Sequence, residues 1–171
     1  MHRLIVGPPG VGKSTLIQKL LQRLDRPVYG FYTQKELPEA SGEAYVYIHD
    51  PNRSRTYTIG NRVGVCSDAG AKGFPDAFNR AAGLLRNIPK GSVIVMDELG
   101  VMESAAAEFC QAVLAVLDGD MPVIAAVKPK ETPFLQKVCS HPQAHIYPIN
   151  ETNRDDLFQT ILQAVEEENQ V

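Results

Sequence analysis

Apolar residues along this chain fall into short continuous runs that alternate with stripes at helical spacing. Leu4, Ile5 and Val6 form a run that reads as a buried strand. Leu16, Ile17, Leu20, Leu21 and Leu24 then recur at helical spacing, with Gln18, Lys19, Gln22 and Arg23 between them, and predict a helix lying with one face on a sheet. Residues 28–33 are β-branched and aromatic and predict a second strand. Two further β-like runs follow at 44–48 and 56–59, set off by the polar tip 38–42 and the turn cluster 49–52. Their close spacing predicts a small antiparallel excursion rather than another βαβ unit. His49 is expected at the surface. Residues 60–75 are glycine-rich without a period and read as a loop, with one short strand at 63–66.

The second half resumes the alternation. A helix pattern covers 76–87, and four apolar residues, Val93 to Met96, form a strand that delivers Asp97 and Glu98 to its C-terminal edge. A helix from Ser104 to about Leu117 precedes another apolar strand over 122–127, whose tip residue, Lys128, could lie near a nucleotide but is read first as a solvated strand end. A short helix or turn at 133–138, a strand at 144–149 and an amphipathic helix from Arg154 complete the pattern. Thr152 and Asp155 fit a capping box for that last helix, with Asn153 and Arg154 as residues that could instead reach a nucleotide. Glu166, Glu167 and Glu168 read as a solvated tail. The predicted class is α/β, one domain over residues 1–171, with a mainly parallel sheet flanked by helices.

Composition narrows the setting. A chain of 171 residues with 44% hydrophobic and 22% charged residues is ordinary for a globular protein. Its formal net charge of -3 supplies no basic field for nucleic acid, so no nucleic-acid partner is expected. The three cysteines, Cys66, Cys110 and Cys139, lack metal-type spacing and suit a reducing compartment. No apolar run approaches the roughly 20 residues of a membrane span, and the chain opens directly on its first strand. A cytoplasmic monomer with no membrane partner is the expectation.

Chemistry enters at the junction of the first strand and helix. Gly7-Pro8-Pro9-Gly10-Val11-Gly12-Lys13-Ser14, followed by Thr15, is a full match to the P-loop pattern G-x-x-x-x-G-K-[ST]. Glycines let backbone N–H groups turn inward around a phosphate chain, and the helix N-terminus adds unpaired donors and positive dipole. Residues 7–15 are therefore the predicted nucleotide cradle. Lys13 would reach the terminal phosphates and the Ser14 hydroxyl would help hold Mg²⁺.

Some eighty residues on, Asp97 suits the acidic partner of that Mg²⁺, through water, because the ion prefers oxygen ligands and keeps several waters. Glu98 would orient or deprotonate a water attacking the γ-phosphate. Glu103 is either a second acid of the site or the start of the following helix. Asp97-Glu98-Leu99-Gly100 also fits the D-x-x-G of GTPase switches, but the guanine-reading N-K-x-D motif is missing from the sequence.

Taken together, these stretches resemble a family of small P-loop nucleoside-triphosphatases first described from thermophiles, which includes the human cancer-related nucleoside-triphosphatase. The resemblance rests on residues 7–15, on Gly30-Phe31-Tyr32-Thr33, on the run from Val95 through Asp97-Glu98-Leu99-Gly100-Val101-Met102-Glu103, and on Asn153-Arg154-Asp155. It implies a RecA-like, three-layer P-loop fold and slow, Mg²⁺-dependent hydrolysis of several nucleoside triphosphates to diphosphates. One segment departs from the family pattern. After the second strand, relatives usually carry an acidic pair and an arginine-containing segment, whereas this chain has Gln34-Lys35-Glu36 and Ser41-Gly42-Glu43-Ala44-Tyr45.

Three functions fit these residues. The first is triphosphate hydrolysis, with Lys13 and Glu98 catalytic, Ser14 and Asp97 on the metal, and Arg154 against the nucleotide. The second is a nucleotide or nucleoside kinase using the same cradle, and the third a nucleotide-dependent switch.

Overall fold

Strand alternation sorts the apolar residues of the central strands onto two faces, and each face is covered by its own helices. The computed structural model describes residues 1–168. In chain order these fold as β1 (His2–Val6), α1 (Lys13–Leu24), β2 (Val28–Lys35), β3 (Ala44–His49), β4 (Arg62–Ser67), β5 (Gly70–Gly73), α2 (Pro75–Ala81), β6 (Val93–Leu99), α3 (Ala107–Leu117), β7 (Val123–Val127), α4 (Pro133–Cys139), β8 (Ala144–Pro148) and α5 (Arg154–Glu168). The strands form one sheet in the order β5-β4-β3-β2-β6-β7-β1-β8. Strands β2, β6, β7, β1 and β8 run parallel, while β3, β4 and β5 form an antiparallel meander on one edge.

On one face Leu4, Phe31, Ile94, Met96, Ala125 and Val127 pack under α2, α3 and α4. On the other Ile5, Val93, Val95, Ile124 and Ala126 pack under α1 and α5. The period-2 alternation of β6 therefore carries Asp97 to the same side as Val93 and Val95, beneath the start of α1. No helix among the described residues is long and apolar enough to cross a membrane.

The edge meander differs most from the sequence pattern. Residues 56–59, read as β-like, form no strand, and Tyr57 and Ile59 are exposed. Residues 60–75, read as a loop with one strand, instead hold the β4–β5 hairpin, in which Val65 pairs with Lys72 and Cys66 with Ala71. The helix pattern of 76–87 breaks into α2 and a 3₁₀ turn over Ala82–Leu85. The helix expected from Ser104 begins three residues later, at Ala107.

His49, expected at the surface, is 4% exposed. Its ring meets Tyr57 edge-on at 5.3 Å between centroids, because the 50–61 connection folds back over β3. Burial, with Arg55 acting the same way, lowers its pKa below the ordinary histidine value. In the interval between its folded and unfolded pKa the unfolded chain binds more protons, so this histidine removes stability as the pH falls through 6.5 and below. The buried Nε2 of His49 has no hydrogen-bond partner among the described residues, so phenylalanine strands no bond there. His49→Phe is expected to lose less stability than the parent between about pH 7.5 and about pH 5.5 in urea titrations. Equal losses would contradict a neutral buried histidine.

At the far end of the chain, Glu166, Glu167 and Glu168 are exposed, as expected, but form the last turn of α5 rather than a tail beyond it. Residue Glu168 closes α5 and pairs with Arg3 of β1 at 2.8 Å. The start of α5 uses no Thr152–Asp155 capping box either. Asn150 accepts from the backbone N–H groups of Thr152 and Asn153, and the Asn153 side chain accepts from Asn150 N–H at 2.8 Å.

Candidate active site

The predicted phosphate cradle begins where β1 stops. Gly7 passes so close to the end of β8 that a Cβ there would lie 2.6 Å from Ile149. Gly12, with φ of 108°, turns the chain into α1 in a left-handed conformation that glycine adopts without strain. No side chain caps α1, so its first-turn N–H groups stay open to an anion. Lys13 is buried and folds back over the loop, donating from Nζ to the carbonyls of Gly7 at 2.7 Å and Pro8 at 2.9 Å.

The parallel pairing of β6 between β2 and β7 brings the two carboxylates to this loop. Ser14 Oγ donates to Asp97 Oδ1 at 3.0 Å, joining residues 83 positions apart. Asp97 is 6% exposed. Burial pushes its carboxyl above the ordinary aspartate value; the Ser14 hydroxyl opposes this, Glu98 adds to it and Lys13 opposes it. These two oxygens, beside the P-loop, are of the kind that would suit Mg²⁺, an ion that prefers oxygen ligands and keeps several waters.

Glu98 points into the cavity between two ammonium groups. Its Oε2 lies 3.3 Å from Lys13 Nζ and its Oε1 lies 3.2 Å from Lys128 Nζ. Thr33, at the end of β2, steadies the peptide between the two acids. Its hydroxyl donates to Asp97 O at 3.1 Å and accepts from Glu98 N–H at 3.2 Å. Glu103 is buried and accepts the Gly100 N–H. Burial raises its pKa, and its bond to Gly100 makes it a brace for the 97–103 turn.

These groups share a cavity of about 540 Å³, floored by Gly12, Lys13 and Ser14 and extended past Glu98 by Val46, Cys66, Phe78 and Met102. A second cavity, of about 640 Å³, meets it at Gly12 and Thr15 and runs between α1 and α5. Arg154 lines this second space with Lys19 and Phe158, its Cδ 4.0 Å from where a Cβ of Gly12 would sit.

Of the residues singled out from sequence, Pro9, Gly10, Gly12, Lys13, Ser14, Thr15, Asp97, Glu98 and Arg154 line these adjoining cavities, while Gly7 and Pro8 contribute carbonyls to Lys13 and Val11 packs into the core. Asn153 does not; its amide donates to Pro148 O and serves the turn before α5. Lys128, read as a solvated strand end, instead faces Glu98 inside the site. Its signal was its place at the tip of the strand between the P-loop strand and the carboxylate strand. Thr33 and Lys35 also belong to the cavity wall, as the C-terminal end of a parallel strand next to β6. In the departing segment, Gln34 turns to Arg55 and Tyr57, accepting from them at 2.7 and 3.1 Å, while Arg62 stacks 3.8 Å over Tyr45.

A parallel sheet between helices, with a P-loop at the end of β1 and an acidic pair at the end of β6, defines an α/β nucleotide-binding protein of the P-loop NTPase class. A family described as NTPase matches residues 2–162. The nucleoside-triphosphatase THEP1 of Thermotoga maritima is 30% identical over 176 residues, covering 95% of this chain and 94% of that protein. The mouse cancer-related nucleoside-triphosphatase homolog is 29% identical over 195 residues, covering 96% of each chain. Among solved structures, THEP1 from the hyperthermophile Aquifex aeolicus matches with a TM-score of 0.76 at 23% identity, covering 97% of this chain and 99% of that one. The human cancer-related nucleoside triphosphatase matches with a TM-score of 0.68 at 27% identity, covering 97% of each. The chain belongs to this nucleoside-triphosphatase family.

Proposed function

We propose that the chain hydrolyses nucleoside 5′-triphosphates, ATP and GTP among them, to diphosphate and phosphate in a Mg²⁺-dependent reaction. The observation that carries the reading is the convergence of Ser14, Asp97 and Glu98 on the P-loop lysine within one cavity. The loop amides and Lys13 would hold the β- and γ-phosphates. Ser14 and Asp97 would hold Mg²⁺, which when bound neutralises charge on the phosphate oxygens. Arg154, beside Gly12, would lie against the nucleotide on the α1–α5 side.

Glu98 would accept a hydrogen bond from a water in line with the γ-phosphorus. The water oxygen bonds to phosphorus while the bond to the bridging β,γ-oxygen breaks, and its electron pair leaves with the diphosphate. The released proton passes to Glu98 and on to phosphate or solvent. Such transfer needs little covalent help, so positioning and electrostatics carry it. Three unpaired cysteines support a reducing, cytoplasmic setting.

One observation favours a second reading. The apolar wall of Val46, Phe78 and Met102 beyond Glu98 leaves room for an acceptor other than water, as a kinase requires. Product analysis separates the two. Inorganic phosphate released from triphosphate alone supports hydrolysis, and diphosphate formed only with an added acceptor, which then carries the phosphoryl group, contradicts it.

A further inference from the structure

We propose that Lys128 is a second phosphate-contacting cation of this site, placed beside Glu98 to meet the γ-phosphate. The inference rests on the triphosphatase reading above. Lys128 follows β7, which lies between the carboxylate strand β6 and the P-loop strand β1. Its backbone N–H donates to Leu99 O at 2.9 Å, fixing this strand tip to the turn that carries Glu98. The side chain then runs inward over Gly100, where a Cβ would stand 3.0 Å from Lys128 Cδ. The ammonium group ends 3.2 Å from Glu98 and shares the cavity with Gly12, Lys13 and Ser14.

This is not the arrangement of an ordinary surface pair. One carboxylate is shared by two ammonium groups on the wall of a cavity that also carries Asp97 and Glu103. A triphosphate entering the loop brings anionic oxygens that replace Glu98 as the partner of both lysines. The same exchange releases Glu98 to take a water. Lys128 thus serves twice, holding Glu98 aside in the free enzyme and meeting charge on the equatorial γ-oxygens during transfer, where a fixed cation in a desolvated site counts most. A diphosphate lacks the group that Lys128 would touch, so the contact also selects triphosphate over diphosphate.

The test compares Lys128→Met and Lys128→Gln with the parent chain, each checked for cooperative thermal unfolding. The expected result is a fall in kcat of roughly 10²–10³, with diphosphate affinity retained and affinity for a non-hydrolysable triphosphate analogue reduced. A Lys128→Arg variant is expected to recover part of the loss. Repeating the binding measurements with Glu98→Gln in place removes the ion pair. There, Lys128→Met should still weaken the triphosphate analogue and spare the diphosphate. Turnover equal to the parent in either folded variant overturns the proposal. So does loss of both folds, which makes Lys128 structural, or no effect on binding once Glu98 is changed, which makes it only a holder of Glu98. A parent chain that releases no phosphate from any triphosphate defeats the hydrolase reading, while the binding comparison still judges Lys128.

Discussion

Glu98→Gln is expected to lower triphosphate turnover by about 10²–10⁴ while nucleotide affinity is kept or increased. The loss is expected because the amide cannot take the proton of the attacking water. Affinity is expected to hold because Glu98 makes no part of the cradle. In the free protein its carboxylate occupies Lys13 and Lys128, at 3.3 and 3.2 Å, and competes with phosphate for both. Removing that negative charge frees both ammonium groups from their direct partner for the incoming anion. Single-turnover phosphate release paired with a fluorescent-nucleotide binding titration checks both halves. Near-parental turnover would remove Glu98 from the role of base.

Lys13→Ala is expected to have a comparable or larger effect, through a different quantity. Lys13 Nζ donates to two carbonyls of the loop that precedes it and touches Glu98, so its loss takes away the phosphate partner and slackens the loop together. Triphosphate affinity should fall, since hydrogen bonds to charged groups contribute about 1.5–3 kcal/mol each, and turnover should drop by roughly 10²–10³ or more. Arginine should not restore it, because its planar fork does not replace a compact point charge in this buried turn. The same two assays decide the matter. Unchanged affinity and turnover in Lys13→Ala would mean that the loop binds no phosphate.

The parts of this account that were legible in the sequence are those set by local rules. The strand–loop–helix of β1 and α1 follows from an apolar run, a spaced set of glycines and a helical stripe within two dozen residues. Asp97 and Glu98 were legible because Val93 to Met96 form a continuous buried run that stops at two acids. The meeting of Asp97 with Ser14 also followed, since a P-loop and an acidic strand end in one parallel sheet share an edge.

What was illegible depends on pairing between distant segments. Of the β4–β5 hairpin only β4 was legible, as the strand at 63–66; the edge strand β5, Gly70-Ala71-Lys72-Gly73, has no apolar run and is defined by its pairing with β4. His49 is buried by a connection that folds back over it, which no alternation within β3 predicts. Residues 56–59 carry strand-forming side chains but spend their backbone on turns, with Asn61 accepting from Thr58 N–H. Which of its two readings holds for Lys128 is illegible for a related reason. A lysine at a strand tip is solvated unless an acid from the adjacent strand and a glycine on its path draw it inward, and here Glu98 and Gly100 supply both.

The central claim is that residues 7–15, Asp97 and Glu98 make one Mg²⁺-dependent triphosphate-hydrolysing site. Phosphate release measured across a panel of nucleoside triphosphates and diphosphates, with Mg²⁺ and with excess chelator, tests it most directly. The account predicts one phosphate released from each of several triphosphates, none from diphosphates, and loss of the activity when Mg²⁺ is withdrawn. No release from any triphosphate, or release indifferent to the chelator, would contradict it.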